Sequence, residues 1–241
     1  MSIDRSRMSD SAKYMILAGL LFLVSAYFWD SQIVYPIKIL TVFFHELSHG
    51  LAALATGGSI DHIEISSNEG GVCWTVGGNR FLTLTAGYLG SLIWGAGLLL
   101  AAARTHYDRE IVACLGGLLV VVAVIWIRNA FGLFFVIGTG AGLIYFSRKF
   151  GEGPCDVLLR WIGLTSSLYV ILDIKSDLID RTVPISDAYR LSEMLHLPSS
   201  VVGGVWLLIA LFILWHALSG ALKDEGEKPA FPPGKIDFPF P

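Results

Sequence analysis

Charge is scarce in this chain. Asp, Glu, Lys and Arg make up 15% of its 241 residues, against 54% hydrophobic ones. Soluble domains carry about a quarter charged residues, so the balance excludes an ordinary water-soluble globule and indicates a membrane protein. The formal net charge is only −3, and no block of like charges occurs, which removes nucleic acid as a partner. Cysteine is equally thin. Cys73, Cys114 and Cys155 lie far apart and form no CxxC pair, so neither a disulfide framework nor a thiolate zinc site is expected. A cleavage signal is missing too: no small-x-small site ends the first apolar run, which starts at Tyr14 behind a polar segment (1–13) carrying Arg5, Arg7 and Lys13. That run reads as a retained transmembrane helix whose start faces the cytoplasm. The basic N-terminus points to the cell membrane of a prokaryote.

What is abundant is apolar sequence in long stretches. Helices are expected at Tyr14–Phe28, Val34–Ala55, Phe81–Ala103, Ile111–Ile127, Phe131–Phe146, Val157–Ile179 and Ser199–Ala221. Some fall short of the roughly 20 residues that a bilayer core requires. Only Arg128-Asn129-Ala130 separates the fourth from the fifth, which predicts a tight hairpin or one broken element. The fold class is thus an all-α polytopic membrane protein of six to seven transmembrane helices, with residues 14–222 as the membrane domain. One insert, 57–80, breaks the helical pattern. Ile60 to Ile65 alternates apolar and polar, Asn68-Glu69-Gly70-Gly71 is a turn, and Val72 to Val76 follows, which predicts a β-hairpin. From residue 223 the chain turns charged and then proline-rich, as a disordered tail does.

The second apolar stretch contains His45-Glu46-Leu47-Ser48-His49. Residues four apart on an α-helix lie about 40° apart around the axis and about 6 Å along it. Both imidazoles then face one tetrahedral zinc ion. Glu46, beside the first ligand, suits a general base that takes a proton from the attacking water and returns it to the leaving amine. The flanks, Ile39 to Phe44 and Gly50 to Ala55, are apolar, where two histidines and a glutamate are costly unless they face a cavity, a metal or each other. A satisfied pair of core histidines is the bland alternative, and it leaves Glu46 unexplained. A catalytic zinc needs a third protein ligand. Asp173 and Asp177 share a face of the run from Ser167 to Asp177, and Asp173 lies deeper, where burial most demands a positive partner. Asp173 is therefore expected as the third ligand, ahead of Asp177, for which a salt bridge with Lys175 or Arg181 is the alternative. Asp187 ranks third.

In order along the chain, Phe44 to Gly50, Thr56-Gly57-Gly58, Glu69-Gly70-Gly71-Val72, Ala86 to Ser91, Leu172-Asp173 and Ser186-Asp187-Ala188 resemble the site-2-protease-like M50 metallopeptidases, and most closely their compact M50B-type branch. The likeness runs from about Thr41 to Trp206. It implies a zinc site within the membrane, with His45, His49 and an aspartate from a later helix as ligands, Glu46 as general base, and peptide-bond hydrolysis by zinc-activated water. The implied substrate is a membrane-spanning or membrane-associated protein, unwound by pairing with the strands that follow the zinc helix. The chain departs from the better-known branch in having Ile174 after Asp173, Ala86-Gly87-Tyr88 in place of an Ala-Gly-Pro motif, and no room for a PDZ-like insert between Ala55 and Phe81.

Gly87, Gly90, Gly95 and Gly97 suit close helix packing. Asn129 beside Arg128 is read as a helix cap or headgroup contact, or else as a polar group for the active site. Ser186 or Asp187 is a candidate N-cap for a short amphipathic segment, Tyr189 to Leu195. Two other function classes fit parts of this pattern. One is a non-proteolytic M50-like membrane scaffold, which has no need for Glu46. The other is an ion- or proton-coupled transporter, in which intramembrane ionisable residues line a path.

Overall fold

The computed structural model describes residues 5–29, 31–175 and 186–223. In chain order its elements are α1 (Arg5–Tyr27), α2 (Tyr35–Ala55), β1 (Ser59–Ile65), β2 (Gly71–Val76), α3 (Arg80–Arg104), α4 (Asp108–Trp126), α5 (Ala130–Lys149), α6 (Glu152–Lys175), α7 (Asp187–Leu195) and α8 (Ser199–Lys223). Six of them, α2 through α6 and α8, are long and apolar enough to cross a membrane, while the apolar part of α1, Tyr14–Tyr27, is shorter. The chain is an integral membrane protein with the expected all-α polytopic fold. Helix α1 starts at Arg5, inside the polar N-terminal segment. The expected end of the sixth helix at Ile179 and the proline-rich tail from 224 onward lie outside the described residues.

Helix α2 is the most enclosed span. Phe43, Phe44 and Leu47 are buried, Phe44 stacks on Trp94 of α3 with ring centroids 5.5 Å apart, and Thr41 Oγ1 lies 3.0 Å from Ser166 Oγ of α6. Small residues set the helix spacing. A Cβ on Gly95 of α3 would stand 2.9 Å from the Gly163 carbonyl oxygen of α6, and one on Gly163 would stand 2.6 Å from the Gly95 carbonyl oxygen. Only glycine lets these backbones approach so closely. Between α1, α3 and α6, Arg160 is fully buried. Its Nε and Nη2 donate to the Asp156 carboxylate at 2.5 and 3.2 Å, and Nη2 also donates to the Ala102 carbonyl at 3.5 Å.

The fourth and fifth stretches form a helical hairpin rather than one broken helix. Ile127 ends α4 in an extended conformation, and that link joins the sheet. Strands β1 and β2 pair antiparallel, with Ile63 opposite Cys73, Ile65 opposite Gly71 and an irregularity between Ile60 and His62. Along the other edge of β1, the Arg128 backbone N–H donates to the Ile63 carbonyl at 3.1 Å. The Asn129 side chain accepts from the Ile65 N–H at 3.1 Å and donates to the Ile65 carbonyl at 2.6 Å. Asn129 therefore acts as a strand substitute, and its side chain gives α5 no capping bond. The turn is tied down as well. Tyr35 donates to the Ser67 carbonyl at 2.7 Å, and buried Lys38 meets the Glu69 carboxylate at 3.3 Å.

Candidate metal centre

The buried face of α2 fixes where its polar face looks. With Phe43, Phe44 and Leu47 packed into the core, His45 and His49 project together, their ring centroids 4.7 Å apart at an interplanar angle of 74°. Both Nε2 atoms point at one oxygen. His45 Nε2 lies 2.8 Å and His49 Nε2 2.9 Å from Asp187 Oδ2. Among the described residues these three form the group whose ligand atoms converge, all within 4.8 Å of one another.

Asp187 is delivered by α7. Ser186 caps that helix by accepting from the Tyr189 N–H at 3.3 Å. Ala188 and Leu191 then bury into a cluster with Leu84 and Tyr88 of α3, Val170 and Ile174 of α6, and Trp206 of α8. The amphipathic helix is thus nailed down on one side, and the carboxylate at its first turn is turned into the site. Burial works to raise the Asp187 carboxyl, and the His49 and His45 imidazoles overcome it, holding the group well below the usual carboxylate range.

The expected order of aspartates changes here. Asp173 lines the same cavity but does not belong to the converging group, and Asp187, ranked last from the sequence, does. Depth within an apolar run measures the cost of a charge, not its direction. The chain passes the site on α6 and returns to it on α7. Asp177 lies outside the described residues.

The donor set fits a divalent cation. His49 Nδ1 lies 2.6 Å from the Thr83 carbonyl oxygen, so that nitrogen carries a proton and leaves Nε2 to face the Asp187 oxygen at 2.9 Å. Two acceptors cannot face each other at 2.9 Å unless a positive charge lies between them, whether proton or metal. A carbonyl or carboxylate behind a ligating imidazole is the usual outer-shell arrangement. Tetrahedral ligands about 2.0–2.1 Å from zinc stand about 3.3 Å apart, so the two imidazole nitrogens, 2.8 and 2.9 Å from the carboxylate oxygen, would need to draw back from it only slightly. The site is also cradled: a Cβ on Gly87 would stand 2.5 Å from His45 Nε2 and 2.6 Å from His49 Nε2. Helix α3 lies against the imidazoles here, and only glycine fits. A small residue on an apolar helix carries no such signal in the sequence. Tyr88 next to it meets the His45 ring edge-on at 4.9 Å.

Glu46 is buried beside the group. Its carboxyl lies against Gly71, where an added Cβ would stand 2.7 Å from Oε1, and the Cys73 backbone N–H is directed at it. Cys73 is not one of the converging donors; burial, with the Glu46 and Asp187 charges behind it, pushes its thiol up to about 12. A cavity of about 710 Å3 opens onto all of these groups, lined on one side by Gly71, Val72, Cys73 and Thr75 of β2. The β1 edge is closed by Asn129, and β2 turns its other side to the cavity.

A family model described as Peptidase M50B-like matches residues 16–217. No curated protein and no solved structure matches the chain.

Proposed function

The chain belongs to the M50B-like peptidase family and is a membrane protease in that general sense; from this premise we propose that it is a zinc-dependent endopeptidase cutting membrane-spanning or membrane-associated proteins. The observation that carries this reading is the meeting of both imidazoles on Asp187 Oδ2 in the cavity that also holds Glu46. His45, His49 and Asp187 are the residues that would hold zinc. The chemistry such an ion supplies when bound is Lewis-acid polarisation of a carbonyl and acidification of water.

The protein's own groups do the rest. Glu46 takes the proton of the attacking water on its carboxylate and returns it to the departing amine. Its burial keeps bulk water from competing for that proton. The Thr83 carbonyl holds His49 in the tautomer that leaves Nε2 available. Strand β2, which pairs only with β1 among the described residues, would offer its other edge to a substrate backbone, drawing it into extended form with the scissile bond alongside Glu46. The prokaryotic cell membrane remains the setting we assign it, from the basic N-terminal segment.

The test is metal content and peptide hydrolysis on the purified full chain in detergent. Wild type should bind near-stoichiometric zinc and cleave. Glu46→Gln should keep the zinc and lose activity by about 10²–10⁴-fold, the share of positioned acid–base catalysis. Cleavage at the wild-type rate by Glu46→Gln would reject the assigned role, and a folded wild type that takes up no zinc would reject the whole reading.

A further inference from the structure

Two cations line the cavity beside the candidate metal centre, Arg80 and Arg190. Both are exposed, and among the described residues neither guanidinium makes an ion pair or side-chain hydrogen bond. The carboxylates lining the same cavity are otherwise committed. Glu69 pairs with Lys38 at 3.3 Å, Asp187 meets the imidazoles, Glu46 lies against β2, and Asp173 has an interaction of its own.

Their placement is specific. Arg80 sits one turn before Thr83, whose carbonyl holds His49. Arg190 sits one turn after Asp187, which meets both histidines. Residues three apart on a helix share a face and are separated by about 5 Å along it. Helices α3 and α7 also pack against each other. Each guanidinium therefore springs from one helical turn beyond a residue in contact with His49. On the β2 side, Arg80 follows directly after Gly77-Gly78-Asn79, where the strand ends. Both side chains line the cavity that β2 and the imidazoles also border.

Resting on the endopeptidase reading, we propose that Arg80 and Arg190 form a carboxylate-binding mouth that selects substrates with an acidic group within a few residues of the scissile bond. Arginine suits this task because its planar fork matches a carboxylate with two parallel hydrogen bonds. The carboxylate comes from an Asp or Glu side chain or from a chain terminus, and both present the same chemistry.

The test uses zinc-loaded full-length protein in detergent and a library of internally quenched decapeptides. Asp or Asn is fixed at each position in turn, and each peptide is made with a free or an amidated C-terminus. Cut positions are read by mass spectrometry. Asp should be favoured over Asn at positions on one side of the cut by about tenfold or more, the worth of a charge-assisted hydrogen bond. The preference should sit in KM rather than kcat. In Arg80→Gln/Arg190→Gln the Asp-to-Asn ratio should fall to about one, and in Arg80→Lys/Arg190→Lys it should be partly retained. A preference for free over amidated C-termini without an Asp-over-Asn preference assigns the chain terminus as the acidic group, and an Asp-over-Asn preference among amidated peptides assigns the side chain. Direct binding to the non-hydrolysing Glu46→Gln protein, followed by fluorescence anisotropy, should give the same ratio. Cleavage without any acidic preference, or a preference unchanged in the glutamine variant, overturns the mouth while leaving the endopeptidase intact. No cleavage of any library member by folded, zinc-loaded wild type overturns both.

Discussion

Two groups of ionisable side chains are buried in this protein, and they differ in what they lack. Between α1, α3 and α6, Arg160 and Asp156 satisfy one another with two hydrogen bonds, and Ala102 supplies a further acceptor. Opposite charges, complementary donors and acceptors, and complete enclosure leave that pair nothing to recruit. Between α2, α3 and α7, His45, His49 and Asp187 are all electron-pair donors in their neutral-imidazole form. They converge on one point and open onto a cavity. The same membrane scaffold thus carries one ionic group that closes on itself and one whose converging donor atoms could hold a metal ion. Burial alone does not separate structural charge from chemical charge. The sign of the mismatch does.

That contrast can be broken from either side. The largest effect is expected at the donor group: Asp187→Ala should lose metal by more than the roughly 10–100-fold that outer-shell substitutions cost, while Asp173→Ala should keep it. Zinc analysis on folded protein decides between them, and the reverse result would return the third position to α6. At the closed pair, Arg160→Leu strands the Asp156 carboxylate and should destabilise the protein by about 3–5 kcal/mol. The melting temperature in detergent reads that loss, with zinc per folded molecule unchanged. A smaller change separates packing from ligation. Gly87→Ala places a methyl against both Nε2 atoms and should weaken zinc binding by about 10–100-fold with little loss of helicity by circular dichroism. Asn129→Leu removes both bonds to Ile65 and should cost about 1–3 kcal/mol, seen as faster amide exchange along β1. No change in that exchange would show that the α4–α5 link contributes nothing to the sheet.

The sequence makes the spans legible because apolar runs of helical length between polar links have few other solutions in a bilayer. Alternation from Ile60 to Ile65, followed by Asn68-Glu69-Gly70-Gly71, reveals the hairpin for a similar reason: a period of two and a turn are local signals. His45, Glu46 and His49 stand out because three ionisable residues on one apolar helix are expensive. Their third companion is less visible. Asp173 interrupts a hydrophobic stretch, whereas Asp187 sits in a polar connection, and only the docking of Ala188 and Leu191 turns it inward. Asn129 and Gly87 are hidden in the same way. An asparagine between two helices looks like a cap until a strand edge lies beside it, and a glycine looks like packing until the atom it makes room for is known. Local periodicity writes the elements; what they enclose depends on contacts far apart in the chain.

That distance also sets an order in time. The hydrogen-bonding partners His45 and Asp187 are separated by 142 positions, with four spans between them. A chain made and inserted from its N-terminus acquires its histidine pair and its glutamate early, then waits for α7 before the set is complete. A nascent chain or an early truncation product would therefore hold an unfinished blade, harmless to its own emerging helices and to the insertion machinery around it.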